Sequence, residues 1–348
     1  MHTVTDLIAT GILRIAREPP GNATVGDLAT SAGYTIPLIA HDYPAKTAVL
    51  WNAAYRAVGL SCVNAMCVAN PGALPSIIEV LRKDPRYLGG GAGVGFKEAV
   101  MAQADVIGMS AALMGAANVL WMDGDGALCV DNTDADGFLR GLAPLVQERW
   151  PVSGLGKRSV LVLGAGGAGG PIALAFARAG ANVAIVNRSE EKARRLAARI
   201  SEARVAHRWP VLGVVVRGYG EHAIAPLARG ADIVVNTTDK GKGSLAAYSA
   251  LAPAVLPATD ENVSQNLVQG EQAVASMSRS AIVADIAAFG GQTPMLQHAA
   301  TRGLATQDAL PMVVEQAIDA FLLVHRGIAD RASIARIMWD AVGIKQNA

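Results

Sequence analysis

Apolar and polar positions along the chain follow two recurring patterns. Short continuous apolar runs are typical of buried strands and occur at 36–40, 60–68, 160–163, 182–186, 212–216, 233–235 and 282–286. Apolar positions at helical spacing occur at 47–58, 76–82, 134–147, 189–200, 311–325 and 332–342. Strands that alternate with helices predict βαβ units and a parallel sheet. The expected fold class is therefore α/β.

Three segments depart from this alternation. Residues 1–32 precede the regular pattern, and we expect them to form a helical arm. Asp123-Gly124-Asp125-Gly126 separates two apolar runs, and Asp-Gly dipeptides accept positive φ at low cost, which predicts a hairpin. The segment 150–157 contains Pro and Gly and is the best candidate for a domain boundary by composition.

Composition narrows the class of protein. A length of 348 residues favours two domains, and 51% hydrophobic with only 17% charged residues excludes a disordered chain. Thirty basic and 29 acidic residues, without a basic stripe, argue against a nucleic-acid partner. No uninterrupted apolar run reaches about 18 residues, so no membrane span is predicted. Three cysteines without CxxC spacing and scattered histidines predict no metal site. We expect a soluble, cytoplasmic protein, monomeric or homodimeric, that acts on a small molecule.

A glycine-rich loop follows the apolar run at 160–163. Its glycines have GxGxxG spacing, and the loop opens a helical segment that leads to a second strand at 182–186. In such a loop the first glycine permits a tight turn, the second lets the backbone approach a pyrophosphate, and the third permits close helix packing. The motif alone is weak, and a glycine-rich turn in an unrelated α/β sheet is the alternative. The context nevertheless predicts a dinucleotide site formed by Gly164, Ala165, Gly166, Gly167, Ala168 and Gly169.

The end of the second strand indicates which dinucleotide is bound. An NAD site would place Asp or Glu there for the ribose 2′-hydroxyl, but this chain has Asn187-Arg188-Ser189, with Lys192 one turn further. Arginine and lysine favour a 2′-phosphate, while Ser and Asn add neutral hydrogen bonds. The alternative for Arg188 is a solvated loop charge. The pattern favours NADP over NAD.

Two further places concentrate polar residues. One is the lysine in Gly95-Phe96-Lys97-Glu98, and the other is Asp131-Asn132-Thr133-Asp134, which ends a strand and opens a helix. A lone lysine is usually solvated, and Asp134 by itself would be interpreted as a helix N-cap. Composition and spacing do not pair these residues.

Taken together, these motifs resemble the shikimate dehydrogenase family. Asn132-Thr133-Asp134 matches the family's Asn-Thr-Asp-Gly signature, although Ala135 and Asp136 stand before the glycine. Further matches, in order along about residues 36–327, are Lys97-Glu98-Ala99-Val100, Gly115-Ala116-Ala117-Asn118, the segment 232–238, Thr293-Pro294-Met295-Leu296 and the segment 312–316. Several motifs at compatible spacing make the resemblance specific.

The resemblance implies an architecture and a set of roles. It implies a substrate-binding α/β domain over 1–134, completed by helices at 312–348, and a Rossmann-type NADP-binding domain over 135–311, with a cleft between them. Lys97 and Asp134 would form the catalytic pair, one moving the proton of the substrate hydroxyl while the other orients it. The implied substrate-binding residues are Thr47, Asn118 and Gln316. The resemblance also adds Thr237 and Ile286 to the NADP site.

The chain departs from the family at positions that contact substrate. The family's two carboxylate-binding serines fall on Ala45 and Thr47, a neighbouring histidine on Trp51, an upstream threonine on Gly93, and a substrate-contacting tyrosine on Ala288. A hydrogen bond to a charged group contributes about 1.5–3 kcal/mol, so the changes would weaken shikimate binding. Glycine and alanine at the last two positions are expected to enlarge the site. Stacking of Trp51 on an added ring is then an alternative, but a core position is the favoured interpretation of this tryptophan.

We therefore expect an NADP-dependent oxidoreductase of shikimate dehydrogenase type. It would transfer hydride reversibly between NADP and a shikimate-like cyclic secondary alcohol, with altered substrate preference. An ordinary shikimate or quinate dehydrogenase, in aromatic amino acid biosynthesis, is the alternative. A non-catalytic NADP(H)-sensing regulator is the alternative from another class, and the presence of both Lys97 and Asp134 argues against it.

Overall fold

The fold is described from a computed structural model over residues 3–209, 215–288 and 291–344. None of the helices in these ranges has the length and apolar character needed to span a membrane. The described elements, in chain order, are α1 (Val4–Ala9), β1 (Leu13–Ile15), α2 (Val25–Thr30), β2 (Gly33–Thr35), β3 (Leu38–Ile39), α3 (Thr47–Ala57), β4 (Cys62–Asn64), β5 (Cys67–Ala69), α4 (Leu74–Lys83), β6 (Tyr87–Gly91), β7 (Val106–Ile107), α5 (Met109–Met114), β8 (Val119–Met122), β9 (Leu128–Asp131), α6 (Asp134–Arg149), β10 (Ser159–Leu163), α7 (Gly169–Arg178), β11 (Asn182–Val186), α8 (Glu190–Ala206), β12 (Val216–Tyr219), α9 (Ile224–Arg229), β13 (Ile233–Asn236), α10 (Asp260–Ser276), β14 (Ile282–Asp285), α11 (Pro294–Thr301), β15 (Ala305–Gln307), α12 (Leu310–Val324) and α13 (Arg331–Ala341).

The chain divides into two compact units. The first unit comprises Met1–Thr133 and Val313–Ala348, and the second comprises Asp134–Met312. These limits lie one residue from the boundaries that the family resemblance implies. The boundary expected at 150–157 is wrong, because α6 already belongs to the second unit. There Phe138 packs on Phe176 of α7 with ring centroids 5.8 Å apart, and Asp136 forms an ion pair with Arg178.

A six-stranded mixed sheet, in the order β4-β2-β6-β8-β9-β7, forms the centre of the first unit. The strands β4, β2 and β6 are parallel, as the pattern predicts, but β8 pairs antiparallel with both β6 and β9. The predicted hairpin explains the antiparallel pairing of β8 with β9, since the two strands are joined by the turn at 123–126 and a short turn joins only antiparallel neighbours.

The N-terminal segment is not the helical arm that the sequence suggests. Its two short helices, α1 and α2, start with capping boxes formed by Thr3 with Asp6 and by Thr24 with Asp27. Between them β1 pairs antiparallel with β5 in a small sheet of order β1-β5-β3. The segment is held in the first unit because its apolar side chains, such as Leu13, are buried in the core.

The helices of the C-terminal segment pack on α3. Trp51 of α3 is 2% exposed and meets Phe321 of α12 edge-on, with ring centroids 5.3 Å apart. Tyr55 donates to or accepts from His325 Nε2 at 2.9 Å, and α13 packs on the same helix. Trp51 is therefore a core residue, as the favoured interpretation of the sequence has it, and its enclosed ring does not stack on a substrate.

The second unit contains an all-parallel sheet in the order β12-β11-β10-β13-β14-β15. Of the strand expected at 212–216, residues 212–214 lie outside the described residues, and β12 begins at Val216. Helix α10 has no clear signal in the sequence, because its buried face is built from small and polar residues. Asn266 on this face donates to the carbonyl of Ser249 at 3.2 Å and accepts from its N–H at 2.7 Å.

Candidate active site and cofactor site

The glycine loop joins β10 to α7, and its glycines have different surroundings. Gly164 has a φ of +113°, and a Cβ there would overlap the Thr237 hydroxyl. A Cβ on Gly169 would overlap the carbonyl oxygen of Gly164, so the third glycine permits the close approach of helix and strand. Gly166 and Gly167 have nothing within 4 Å of an added Cβ. Their backbone therefore stays accessible to a ligand, as the motif requires.

The loop opens on a cavity of about 520 Å³ in the second unit. Nine of the predicted cofactor residues line it: Gly164, Ala165, Gly166, Gly167, Asn187, Arg188, Ser189, Lys192 and Thr237. The described lining does not include the other three. Ala168 and Gly169 begin α7 behind the loop, and Ile286 follows β14 with its N–H donating to the Asn236 carbonyl at 3.0 Å.

The residues after β11 are held by local hydrogen bonds. Asn187 accepts from the Ala165 N–H at 3.2 Å, which ties the glycine loop to the next strand. Ser189 caps α8 by accepting from the Lys192 N–H at 3.4 Å. The side chains of Arg188 and Lys192 are exposed at the cavity. This donor set fits a dinucleotide that carries a 2′-phosphate.

The two acidic residues that begin α8 are engaged along the helix. Glu190 forms an ion pair with Arg194 at 2.5 Å, and Glu191 forms one with Arg195 at 3.1 Å. Both glutamates lie in the first turn, where a negative charge also favours the helix dipole. Both glutamates therefore stabilise the helix. Neither takes the place of the acidic residue that an NAD site uses to bind the ribose 2′-hydroxyl, which agrees with the preference for NADP.

An ion pair between a buried lysine and a partly exposed glutamate in the cavity wall has no signal in the sequence. Lys240 is 7% exposed, and its Nζ lies 2.5 Å from Glu221 Oε1 and donates to the Ala252 carbonyl at 2.7 Å. Both ionised side chains line the cavity. Burial lowers the pKa of Lys240, while the carboxylate of Glu221 opposes that shift. Because Lys240 lies in a short run of glycine and charged residues, the sequence alone indicates an ordinary solvated loop.

In the first unit, the structure brings two of the predicted substrate-binding residues together. Asn118 donates to Gln316 Oε1 at 3.0 Å and to the Thr133 hydroxyl at 2.9 Å. Thr133 in turn donates from its hydroxyl to the Gln316 carbonyl at 3.0 Å and from its N–H to Asn118 Oδ1 at 2.8 Å. This cluster fixes the two amide side chains relative to one another, although they are 198 residues apart in the chain.

Lys97 is placed next to this cluster by the backbone. It follows Phe96, which is fully buried and anchors the loop, and its own side chain is half-buried. The Lys97 carbonyl accepts from the Ala117 N–H at 2.7 Å, and the Asn118 carbonyl accepts from the Ala92 N–H at 2.9 Å. The lysine loop and the turn that carries Asn118 are therefore joined directly.

Two more predicted residues, Asp134 of the second unit and Thr47 of the first, begin helices. Asp134 follows Thr133 in the chain, is 5% exposed, and is the first residue of α6 rather than an N-cap. Thr47 is the first residue of α3 and is half-buried. Its neighbour Ala45 is buried in a small apolar cluster that includes Ile39 and Met66. Of the two positions that correspond to the family's carboxylate-binding serines, only Thr47 therefore carries a hydroxyl.

Gly93 does not open additional space. A Cβ there would lie 2.6 Å from Ile39 Cγ2 and 3.3 Å from the Tyr43 hydroxyl oxygen. The expectation that this glycine enlarges the site is therefore wrong, because neighbouring side chains already fill the place that a threonine would take. Ala288 is 4% exposed and packs in the core of the second unit.

Comparison with known proteins supports the same assignment. Residues 145–210 match the family model described as "Shikimate / quinate 5-dehydrogenase". A shikimate dehydrogenase (NADP(+)) from Methylobacterium radiotolerans is 32% identical over 253 residues, which is 72% of this chain and 76% of that protein. The chain belongs to the shikimate dehydrogenase family. The resemblance drawn from the motifs is thereby confirmed.

Solved structures agree with the fold of the family. A shikimate dehydrogenase crystallised with NADP⁺ has a TM-score of 0.70 at 21% identity, covering 94% of this chain and all of that chain, which supports the fold alone. The 5-ketofructose reductase of a Gluconobacter species has a TM-score of 0.65 at 26% identity, covering 89% of this chain and 99% of that chain. The α/β fold with a Rossmann-type second unit is confirmed.

Proposed function

We propose that the chain is an NADP-dependent dehydrogenase that interconverts a secondary alcohol and a ketone on a polyhydroxylated substrate. One observation carries the proposal: this member of the shikimate dehydrogenase family has both residues of the predicted catalytic pair, Lys97 and Asp134. It also has the complete glycine loop, and Arg188 and Lys192 line the cavity beside that loop. The relative at 32% identity is named as an NADP⁺ enzyme. An enzyme is therefore favoured over a regulator that only senses NADP(H).

Each group of residues has a distinct part in this reaction. Lys97 and Asp134 jointly hold and move the proton of the reacting hydroxyl. Asn118 and Gln316 orient the neighbouring hydroxyls. When bound, NADP supplies or accepts the hydride at its nicotinamide ring.

The cofactor residues divide between two anionic groups. The exposed backbone of Gly166 and Gly167 and the N-terminus of α7 favour the pyrophosphate, since backbone donors and the helix dipole both attract negative charge. Arg188 and Lys192 bind the 2′-phosphate through charge-assisted hydrogen bonds. In this proposal the second unit binds NADP, and the first unit binds the substrate.

We further propose that the preferred substrate is neutral. Ala45 is buried and has no hydroxyl to donate, so a carboxylate would lose one of the two contacts that the family's serines provide. The Gluconobacter relative is named for its action on 5-ketofructose, a neutral polyhydroxylated ketone. A shikimate-like ring with hydroxyls but no carboxylate is the closest match to these observations. An ordinary shikimate or quinate dehydrogenase is the second candidate, favoured by the hydroxyl that remains at Thr47.

A panel of substrates tests the function. Purified protein is incubated with NADP⁺ or NAD⁺ and each of shikimate, quinate and a set of neutral cyclic and linear polyols, and nucleotide reduction is followed. We expect reduction of NADP⁺ with at least one alcohol and its loss in Lys97→Ala. Lys83→Ala, a change of the same type at an exposed lysine that pairs with Glu79 on α4, should retain activity. Absence of turnover with every alcohol and both nucleotides would contradict the proposal.

The setting of the enzyme forms part of the same proposal. We propose that it acts in the cytoplasm as a monomer or homodimer. Cell fractionation tests the location, and light scattering of the purified protein tests the oligomeric state. A membrane-associated fraction or a larger assembly would contradict it.

A further inference from the structure

The cavity beside the glycine loop contains two carboxylates in addition to its cations. Arg188, Lys192 and Lys240 supply three positive charges along its lining, and Glu221 and Asp239 supply two negative ones. Asp239 is exposed and pairs with Lys242 at 3.0 Å, whereas Glu221 is the carboxylate that lies against the buried Lys240. A ligand with a 2′-phosphate and a pyrophosphate is strongly anionic, so a free carboxylate in this wall would repel it. The position of Glu221 therefore needs a physical account.

Lys240 and Glu221 join two loops that leave different strands. Glu221 follows β12 and Lys240 follows β13, and in the sheet these strands are separated by β11 and β10. Their 2.5 Å contact thus bridges the carboxyl edge of the strands that carry Arg188 and the glycine loop. The ion pair forms part of the wall of the cofactor cavity rather than a distant surface contact.

The lysine is held in this place by its backbone and its side chain. Its carbonyl accepts from Asn236 Nδ2 at 2.9 Å, and its N–H donates to the Thr238 hydroxyl at 3.2 Å. The lysine side chain is 8% exposed, against 22% for Glu221. Arg188 is close enough that its charge also lowers the pKa of Lys240. The buried ammonium is therefore fixed against the more accessible carboxylate and near the arginine expected to bind phosphate.

We propose that Lys240 is a specificity-determining residue for NADP, which acts by neutralising Glu221 at the cavity wall. The inference rests on the proposed use of NADP. With Lys240 present, its positive charge neutralises Glu221, and the positive charges of Arg188 and Lys192 attract the 2′-phosphate. Without it, the carboxylate opposes the phosphate of NADP but has a smaller effect on NAD, which lacks that group.

The test measures the dissociation constants of NADP⁺ and NAD⁺ by calorimetric titration of the full chain. We expect Lys240→Met to raise the Kd for NADP⁺ about tenfold and the Kd for NAD⁺ less than about threefold, since one uncompensated charge acts mainly on the extra phosphate. Lys83→Met is the matched control, because Lys83 forms an exposed ion pair with Glu79 on α4 and neither residue belongs to the described lining of the cavity. It should change neither value by more than about twofold.

Two further variants separate neutralisation from support of the loop. Glu221→Gln removes the negative charge but keeps an oxygen for Lys240, and it should lower the Kd for NADP⁺ several-fold relative to that for NAD⁺. The double variant Lys240→Met/Glu221→Gln should bring the Kd for NADP⁺ back to within about threefold of the wild-type value. Glu221→Gln alone keeps the proposal testable if loss of the lysine prevents folding.

The titrations distinguish a failure of the role proposed for Lys240 from a failure of the proposed cofactor. Equal losses for both nucleotides in Lys240→Met, no recovery in the double variant, or no gain for NADP⁺ in Glu221→Gln would each overturn the role of Lys240. A wild-type protein that binds NAD⁺ as tightly as NADP⁺ would instead overturn the proposed cofactor.

Discussion

Two glycines of the cofactor loop, Gly166 and Gly167, and two glycines before Lys97, Gly93 and Gly95, have opposite surroundings. In the second unit, Gly166 and Gly167 border open space that a ligand can fill. In the first unit, Gly93 is crowded by Ile39, and Gly95 combines a φ of +89° with a Cβ position 2.8 Å from the Ala40 Cβ. A small residue in place of a larger one therefore indicates a larger pocket only where neighbouring side chains have not moved into the space. The loop beside the cofactor cavity keeps the glycine pattern of the family, whereas neighbouring side chains fill the space beside Gly93 and Gly95.

The largest effect is expected at the residues that carry the chemistry. Lys97→Ala or Asp134→Asn should lower kcat by about 10²–10⁴-fold, because each removes a group that holds or moves the proton of the reacting hydroxyl. The kcat of each variant is measured by steady-state kinetics on the best alcohol of the panel, and circular dichroism checks that the variant is folded. Activity within about threefold of wild type in either variant would show that the substrate end no longer uses the family's catalytic pair.

At the cofactor end, Arg188→Ala should raise the KM for NADP⁺ by about 10- to 100-fold, since a charge-assisted hydrogen bond contributes about 1.5–3 kcal/mol. The KM for NAD⁺ should change little. Arg195→Ala is the matched control, because Arg195 lies on the exposed face of the following helix and pairs with Glu191. Equal effects of Arg188→Ala on both nucleotides would argue against a contact with the 2′-phosphate.

Single Gly→Ala changes test the contrast between the two kinds of glycine directly. Gly169→Ala and Gly93→Ala should each lower the free energy of unfolding by about 1–3 kcal/mol, because the added methyl group overlaps Gly164 or Ile39. Gly167→Ala should change it by less than about 0.5 kcal/mol, since its surroundings are open. Urea unfolding measures all three. A Gly93→Ala protein as stable as Gly167→Ala would show that the first unit has free space after all.

A smaller effect is expected from the buried histidine of the first unit. Burial lowers the pKa of His325 to about 4, so the unfolded chain takes up the proton first as the pH falls below about 6.5. The free energy of unfolding should therefore fall by about 2 kcal/mol between pH 6.5 and pH 5 because of this residue. Urea unfolding at both values should show that difference reduced in His325→Phe but not in a variant of the exposed His41. The same pH dependence in all three proteins would exclude His325 as its source.

Local sequence patterns predicted the second unit better than the first. The strand, glycine loop and helix from 159 to 178 depend on contacts between residues near in the chain, and they form as expected. The cluster of Asn118, Thr133 and Gln316 joins residues nearly 200 positions apart. No local pattern predicts such a contact, and only the family resemblance assigned Asn118 and Gln316 to the same site.

The misses share a physical cause. Strand β1 pairs with β5, more than 50 residues later, so residues 1–32 contain no local signal for it. The filling of the space beside Gly93 depends on Ile39 and Tyr43, and the pair of Lys240 with Glu221 depends on two separate loops. In each case the outcome is decided by tertiary neighbours that no window of sequence contains.

The central claim concerns two sets of positions. The residues proposed to bind NADP match the family, whereas Ala45, at one of the two positions proposed to bind a substrate carboxylate, does not. The measurement that tests it most directly is the ratio of kcat/KM for a neutral cyclic polyhydroxylated ketone, a shikimate-like ring without the carboxylate, to that for 3-dehydroshikimate, both reduced with NADPH. We predict a ratio well above one, with the value for the carboxylate substrate below about 10⁴ M⁻¹s⁻¹. A ratio below one, with the carboxylate substrate turned over at about 10⁴–10⁸ M⁻¹s⁻¹, would contradict the account and identify an ordinary shikimate dehydrogenase.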